Sequence, residues 1–320
     1  MEASRGSLEG RVIAGYQLER RIGQGEMSVV YRAKDPRLDR TVALKLFARE
    51  YSHDALFRQR LVHDRRVVAG IDHPHILPVF EVGEAEDVLY TVMKYVPGPD
   101  LRTLLHEAGP LPIPTALSIA TQVASALDAA HGHGLVHRNI QPSNILIGTG
   151  PTETPEHVYL TGFGLPKRSL SRTGFTTTGQ FIGTLDYLAP EVIKGHSVGG
   201  RSDLYSLACV VYETLSGAPP FERDEEAAVL WAHLYDTPPP LSERRPEITR
   251  AADGVLAAAL AKAPEKRYAS CLHFTADLRH AERRAGGTPP PTGPPSAPLS
   301  GKRVASTSPG PPFDDDDDEW

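Results

Sequence analysis

The chain has 320 residues, 40% of them hydrophobic and 23% charged, the proportions of a globular protein with room for two lobes or domains of ordinary size. Its formal net charge is −6, and the run Asp314–Asp318 with Glu319 alone carries that many negative charges. The body is therefore close to neutral, which argues against a nucleic-acid binder driven by phosphate neutralisation. No run approaches the ~20 apolar residues of a membrane helix, and Met1–Arg5 opens no apolar signal-peptide core. The cysteines, Cys209 and Cys271, stand in apolar helical contexts and read as buried free thiols, not as a disulfide framework.

Residues 1–15 read as a flexible lead. From Tyr16 to about Phe47, short apolar alternations broken by glycines and Asp35-Pro36 predict antiparallel strands. Between the first two lies Ile22-Gly23-Gln24-Gly25-Glu26-Met27-Ser28-Val29-Val30-Tyr31, whose glycines would let backbone amides approach a phosphate without interference from a Cβ. On its own, a Gly-x-Gly hairpin with no ligand is the commoner reading. Val42-Ala43-Leu44-Lys45 follows on an apolar strand, where a lysine is ordinarily just solvated. A helical stretch is expected from His53 to Gly70, then two strands from Val79 through Tyr95 around the turn Glu84–Asp87.

Pro97-Gly98-Pro99-Asp100 breaks the strand pattern, and the long apolar period from Pro114 to Ala130 turns the chain helical. Asn144–Ile147 and His157–Leu160 read as a hairpin around a polar insertion, 148–156. A hydroxyl-rich segment from Ser169 to Thr178 leads to Gly183-Thr184-Leu185-Asp186-Tyr187-Leu188-Ala189-Pro190-Glu191. Arg201–Leu207 opens an apolar helix, and helical patterns continue to about Arg284 with Pro-rich breaks at 218–220 and 237–240. From Gly286 to Pro312 no apolar period survives, the composition of a disordered linker. The closing run Phe313–Trp320 reads as a solvated acidic tail or as a docking motif for a basic partner.

His137-Arg138-Asn139-Ile140-Gln141-Pro142-Ser143-Asn144 resembles the catalytic loop of protein kinases, H-R-D-x-x-x-x-N, in its spacing from His137 to Asn144. Ile22–Tyr31 resembles the kinase glycine-rich loop with Ser28 at the third glycine, and Val42–Lys45 the V-A-I-K strand. Thr161-Gly162-Phe163-Gly164 resembles the D-F-G turn, and Gly183–Glu191 the end of a Ser/Thr-kinase activation segment with Ala-Pro-Glu intact. Over Tyr16–Arg284 the chain is identified as a member of the bacterial eukaryotic-like serine/threonine protein kinase family, in a degenerate, pseudokinase-like form. The resemblance implies an α+β fold of two lobes. A small antiparallel β-sheet lobe with one main helix would occupy 16–95, a larger, mainly α-helical lobe 96–285, and a disordered tail 286–320.

The resemblance also implies a site. ATP would lie against Ile22, Gly23, Gly25, Val30, Ala43, Lys45, Met93 at the gatekeeper place, Tyr95, Val96 and Leu146. Asp64 would steady Lys45 from the helix, one methylene shorter than the family's glutamate. His137, Phe163, Asp203 and an ion pair between Glu191 and Arg267 would be architectural. Arg138 would receive a phosphate placed on Thr177 or Thr178.

The reacting centre departs from the pattern. Asn139 stands where an aspartate accepts the substrate proton, Gln141 where a lysine steadies the γ-phosphate, and Gly162 where an aspartate holds the metal. Asn144 remains as the metal side chain, without the usual carboxylate. Losing a positioned base costs roughly 10²–10⁴ in rate, about 3–5.5 kcal/mol, and loss of the metal adds to that. The expectation is a pseudokinase that binds ATP with weak or absent Mg²⁺ and serves as a regulator or scaffold. Its partners would be other signalling proteins, including an active Ser/Thr kinase that modifies the activation segment. The alternative is a slow serine/threonine kinase transferring the ATP γ-phosphate to protein hydroxyls. No nucleic acid or membrane is expected as a partner. Relatives of this kind often carry a membrane helix after the kinase domain, so its lack here implies a cytoplasmic protein.

Overall fold

β-branched and aromatic residues alternate with polar ones through the first third of the chain, and in the computed structural model these runs form an antiparallel sheet. The structure describes residues 8–25, 27–52, 54, 57–59, 61, 67–149, 157–163 and 185–285. The strands are β1 (Val12–Ile13), β2 (Tyr16–Gln24), β3 (Ser28–Asp35), β4 (Arg40–Phe47), β5 (Val79–Ala85) and β6 (Val88–Lys94), in the spatial order β1-β2-β3-β4-β6-β5. Tyr16, Leu18, Tyr31, Ala33, Val42, Leu44 and Val92 fill one core of this lobe. The β5–β6 hairpin turns through Glu86 and Asp87, both at positive φ (52° and 60°), the backbone a two-residue turn needs to match strand twist.

Residues 8–15 depart from the expected flexible lead. Val12 pairs with Gln17 and Ile13 with Tyr16, and Ile13 is buried. The turn between them, Ala14-Gly15, has both residues at positive φ (50° and 84°). Ala-Gly is a weak turn signal compared with Asn-Gly or Asp-Gly, so the sequence offered little notice of this hairpin. α1 (Arg49–Ser52) precedes the helix expected over His53–Gly70, of which the described residues include helical pieces at 57–59, 61 and 67–69. Phe57 and Leu61 there pack with Phe47 and Leu89.

The second half is helical: α2 (Leu101–Ala108), α3 (Ile113–Gly132), α4 (Pro190–Ile193), α5 (Gly200–Ser216), α6 (Glu226–Tyr235), α7 (Leu241–Arg244), α8 (Arg250–Ala259) and α9 (Cys271–Ala285). Asp100 starts α2 by accepting a hydrogen bond from the Thr103 amide at 2.7 Å. Gly217 ends α5 at φ 85°, its N–H donating to the Glu213 carbonyl, a left-handed cap that glycine adopts without steric cost. Helices α3 and α5 share a core in which Val123, Leu127, Leu204, Tyr205 and Leu207 are almost completely buried, with Phe274 and Leu278 of α9. Each such Leu contributes about 1.5–3 kcal/mol by leaving water.

Two short strands, β7 (Ile145–Gly148) and β8 (His157–Leu160), pair antiparallel from Ile145↔Leu160 to Gly148↔His157. The residues between them include 150–156, outside the described set. β8 is gripped from its other edge by the segment leading into β5. The Leu160 amide donates to the His75 carbonyl at 2.8 Å, and the Leu77 amide to the Leu160 carbonyl at 3.0 Å. This stitch places Thr161 and Gly162 beneath the sheet lobe.

Candidate active site

An apolar cluster joins the two halves where the resemblance to kinases puts the nucleotide cleft. Ala43 on β4 is paired with Met93 on β6, and together with Leu77, Val96 and Tyr159 they form one buried cluster onto which Val30 and Leu146 pack. Ile22 is more exposed, at the end of β2. Lys94 opens the crossing segment, its amide donating to the Pro78 carbonyl at 3.0 Å. Tyr95 follows; its hydroxyl accepts from Arg20 at 3.4 Å, and the Arg32 guanidinium lies 5.5 Å from its ring.

The glycines above this cleft are informative for what does not require them. Neither Gly23 nor Gly25 has positive φ, and an added Cβ would lie 3.6 Å from Val30 Cβ or 3.8 Å from the Ser28 carbonyl, ordinary contacts. The chain's own packing does not demand glycine at either place. Lys45 stands across from Val30 on one side and Thr91 on the other, its ammonium 5.5 Å from the Phe47 ring. Asp64, Thr177 and Thr178 lie outside the described residues.

The loop after α3 is shaped by one carboxylate. Asp203, buried in the first turn of α5, accepts the amides of His137 at 2.8 Å and Arg138 at 2.7 Å, and His131 Nε2 lies at 2.8 Å. Two consecutive amides converge on one side chain because Arg138 sits at φ 65°, a left-handed conformation that costs a non-glycine residue about 1–2 kcal/mol. His137 is fixed as one tautomer. Its Nδ1 accepts from the Asn139 amide at 3.2 Å, so Nε2–H donates to the Thr161 carbonyl at 3.0 Å. Its ring packs edge-on to Phe163 with centroids 4.4 Å apart.

The three amides of the reacting centre interlock. A 3₁₀ turn over Pro142–Asn144 swings Asn144 back so that its Nδ2 donates to the Asn139 carbonyl at 2.7 Å. The Gln141 amide donates to Asn139 Oδ1 at 3.3 Å. Gly162 has φ 92°, and a Cβ there would lie 3.0 Å from both Cγ and Oδ1 of Asn144. Asn144 thus presses against the backbone of Gly162. Together, positions 139, 141, 144 and 162 present neutral amides and no carboxylate. Such groups can accept or donate hydrogen bonds but cannot take up a proton near neutral pH.

Farther into the helical lobe, Arg267 donates from Nη1 and Nη2 to the two oxygens of Glu191, each at 2.8 Å. Ser202 Oγ donates to Glu191 at 2.6 Å, while Arg267 also reaches the carbonyls of Arg201 and Ala261 at 2.8 and 2.7 Å. Burial pushes the Glu191 carboxyl up, but the hydrogen bonds from Arg267 and Ser202 and the Arg267 charge outweigh it and hold the pKa below the ordinary value. Three contributors escaped the sequence reading: His131, Thr161 through its carbonyl, and Tyr159 in the cleft floor. Thr161 stands in the quoted motif but acts through its carbonyl, which the residue type does not reveal; each of the three depends on elements far apart in the chain coming together.

The protein kinase domain pattern matches residues 16–278. The chain belongs to the protein kinase domain family. It is 40% identical over 290 residues to the serine/threonine-protein kinase PknJ of Mycobacterium tuberculosis, covering 89% of this chain and 49% of that protein. With PknD of the same organism the identity is 41% over 256 residues, 80% of this chain and 38% of PknD. The chain thus matches about half or less of the length of these curated relatives. Among solved structures, the kinase domain of M. tuberculosis PknI aligns with a TM-score of 0.69 at 33% identity, covering 86% of this chain and 100% of that one. The fold is a protein kinase fold of a curled antiparallel sheet and a helical lobe, and the chain is a bacterial serine/threonine-kinase-like domain. Kinases of this family use ATP and Mg²⁺ in general. Among the described residues no helix is long and apolar enough to cross a membrane.

Proposed function

We propose that the chain binds ATP in the cleft formed by Ile22, Gly23, Gly25, Val30, Ala43, Lys45, Met93, Tyr95, Val96 and Leu146, and that it regulates or scaffolds phospho-signalling without efficient phosphoryl transfer. One observation carries this reading: Asn144 packs against the bare backbone of Gly162, where the family places a metal-binding carboxylate. With Asn139 at the base position, proton acceptor and metal carboxylate are missing together. The two losses act on different steps of one reaction, so no single neighbouring side chain restores both. The glycines that the chain's own packing does not need support a nucleotide approaching the Gly23–Gly25 backbone. Mg²⁺ binding is weak or absent, because Asn144 offers a single neutral oxygen. The partners are signalling proteins, among them an active kinase that phosphorylates Thr177 or Thr178 for Arg138 to receive.

The test is a thermal-shift titration with ATP, with and without Mg²⁺, on wild type and Lys45→Ala. Stabilisation by ATP alone, lost in Lys45→Ala, is expected; no shift under either condition defeats the nucleotide reading. The rival is a slow serine/threonine kinase, favoured by the activity for which relatives such as PknJ are named. Radiolabelled turnover from ATP to a protein hydroxyl that disappears in Lys45→Ala would establish it and reject the pseudokinase.

A further inference from the structure

Behind the cleft, aromatic and cationic side chains form a continuous ladder from the end of β6 to helix α3. Lys94 Nζ donates to the Tyr159 hydroxyl and lies 4.3 Å from its ring centroid. Tyr159 stacks on His157 at 4.6 Å, His157 on His75 at 4.9 Å, and His75 meets His73 edge-on at 5.6 Å. His73 Nε2 closes the ladder at 2.9 Å from Ser125 Oγ on α3. Its three histidines sit on the two segments that the stitch between residues 75–77 and β8 joins.

The hydrogen bonds of His73 suit a neutral ring. The His75 amide donates to His73 Nδ1 at 3.2 Å, so His73 carries its proton on Nε2 and donates it to Ser125. His75 Nδ1–H donates to the Val158 carbonyl at 3.1 Å, and His157 Nε2–H to the Pro74 carbonyl at 3.2 Å. A second proton on His73 must displace the His75 amide. A proton on His75 sets a cation against the neighbouring His73 and His157 rings, in a ladder that already ends on the Lys94 ammonium.

The surrounding groups give little relief. Asp72, exposed beside His73, is a carboxylate among the described residues that favours a charged ring there. Lys94 approaches from β6, Tyr159 from β8, and α3 contributes the neutral Gln122, whose Oε1 accepts the Val158 amide, and Ser125. Glu156, next to His157 in sequence, lies outside the described residues. Burial holds His73 and His75 below the ordinary histidine value of 6.5; at His75 the hydrogen bond to the Val158 carbonyl works against it, and His157 and His73 push with it.

We propose that His73 and His75 form a proton-sensitive latch, with the His157 ring packed against it: neutral, they hold β8 against residues 75–77; protonated, they release β8 and with it Thr161, whose carbonyl orients His137. The latch does not rest on the nucleotide reading, because its test is run without nucleotide. The sign follows from linkage. Histidines that resist protonation in the folded state contribute stability that is whole above pH 6.5 and declines as the pH falls below it.

The test is hydrogen exchange at the Leu77 and Leu160 amides of the full chain between pH 7.5 and 5, corrected for intrinsic rates, with chelator present and no nucleotide. In the wild type the open fraction should rise on acidification, by up to about tenfold per pH unit for each proton taken up. It should stay flat in His73→Gln/His75→Gln. Protection that is independent of pH, or a wild-type profile retained by the variant, overturns the latch. The wild type also answers alone, should the variant not fold. The NMR-observed titration of His75 must fall below 6.5 and coincide with the exchange midpoint, and a value at or above 6.5 refutes the proposal.

Discussion

Replacing Arg267 by alanine removes every guanidinium contact described above and leaves the Glu191 carboxylate, itself only 5% exposed, with the single hydroxyl of Ser202. Unpairing a buried ion pair in this way costs about 3–5 kcal/mol, and the loss of packing against the Tyr205 ring, 4.8 Å from the guanidinium, acts in the same direction. Against a total stability of roughly 5–15 kcal/mol for a domain, urea unfolding at pH 7 should show the midpoint falling by about a fifth or more with an unchanged slope. The pH dependence separates charge from packing. In the wild type the Glu191 pKa is depressed, so its contribution is whole above the ordinary value of 4.5 and disappears as the pH falls through the folded-state pKa. Without Arg267, burial dominates and raises that pKa; acidification from pH 7 to 5 should then narrow the gap to wild type. Adding Glu191→Gln should recover part of the loss. A deficit below about 1 kcal/mol, or a double variant less stable than Arg267→Ala, would refute this account of the pair.

Gly162→Ala should lower stability by about 1–2 kcal/mol through its left-handed backbone, and its contact with Asn144 should appear in NMR as a shift of the Asn144 side-chain amide. Asp203→Asn should cost about 1.5–3 kcal/mol and speed hydrogen exchange at the His137 and Arg138 amides above all others. Leu127→Ala, at a fully buried position between α3 and α5, should cost about 2–5 kcal/mol in urea unfolding and leave any ATP-induced thermal shift in place.

The strands from Tyr16 to Lys94 and the long helices were legible because their signals are local. Alternation, turn residues and a 3.6-residue period each declare themselves within a dozen positions. The β1–β2 hairpin was not, since Ala14-Gly15 carries a weaker turn signature than the geometry it adopts. Within the site, residue types at 139, 141 and 162 reveal which charges are missing, because chemistry is written in the side chain itself. That Asn144 closes against Gly162, or that His137 is pinned as one tautomer by Thr161, is a matter of tertiary approach. Residues 137 and 161 are neighbours only once β7 and β8 have paired.

Asp203 fixes the backbone of a loop 65 and 66 positions earlier in the chain, and it does so through main-chain amides that every sequence at those two positions except proline provides. The contour of the loop is therefore insulated from the identity of residues 139 and 141. Mutational drift can erase or rewrite the chemistry there with almost no thermal signature. A screen that ranks variants by melting temperature is blind to those positions, and stability alone offers no gradient along which an active centre would be either kept or rebuilt.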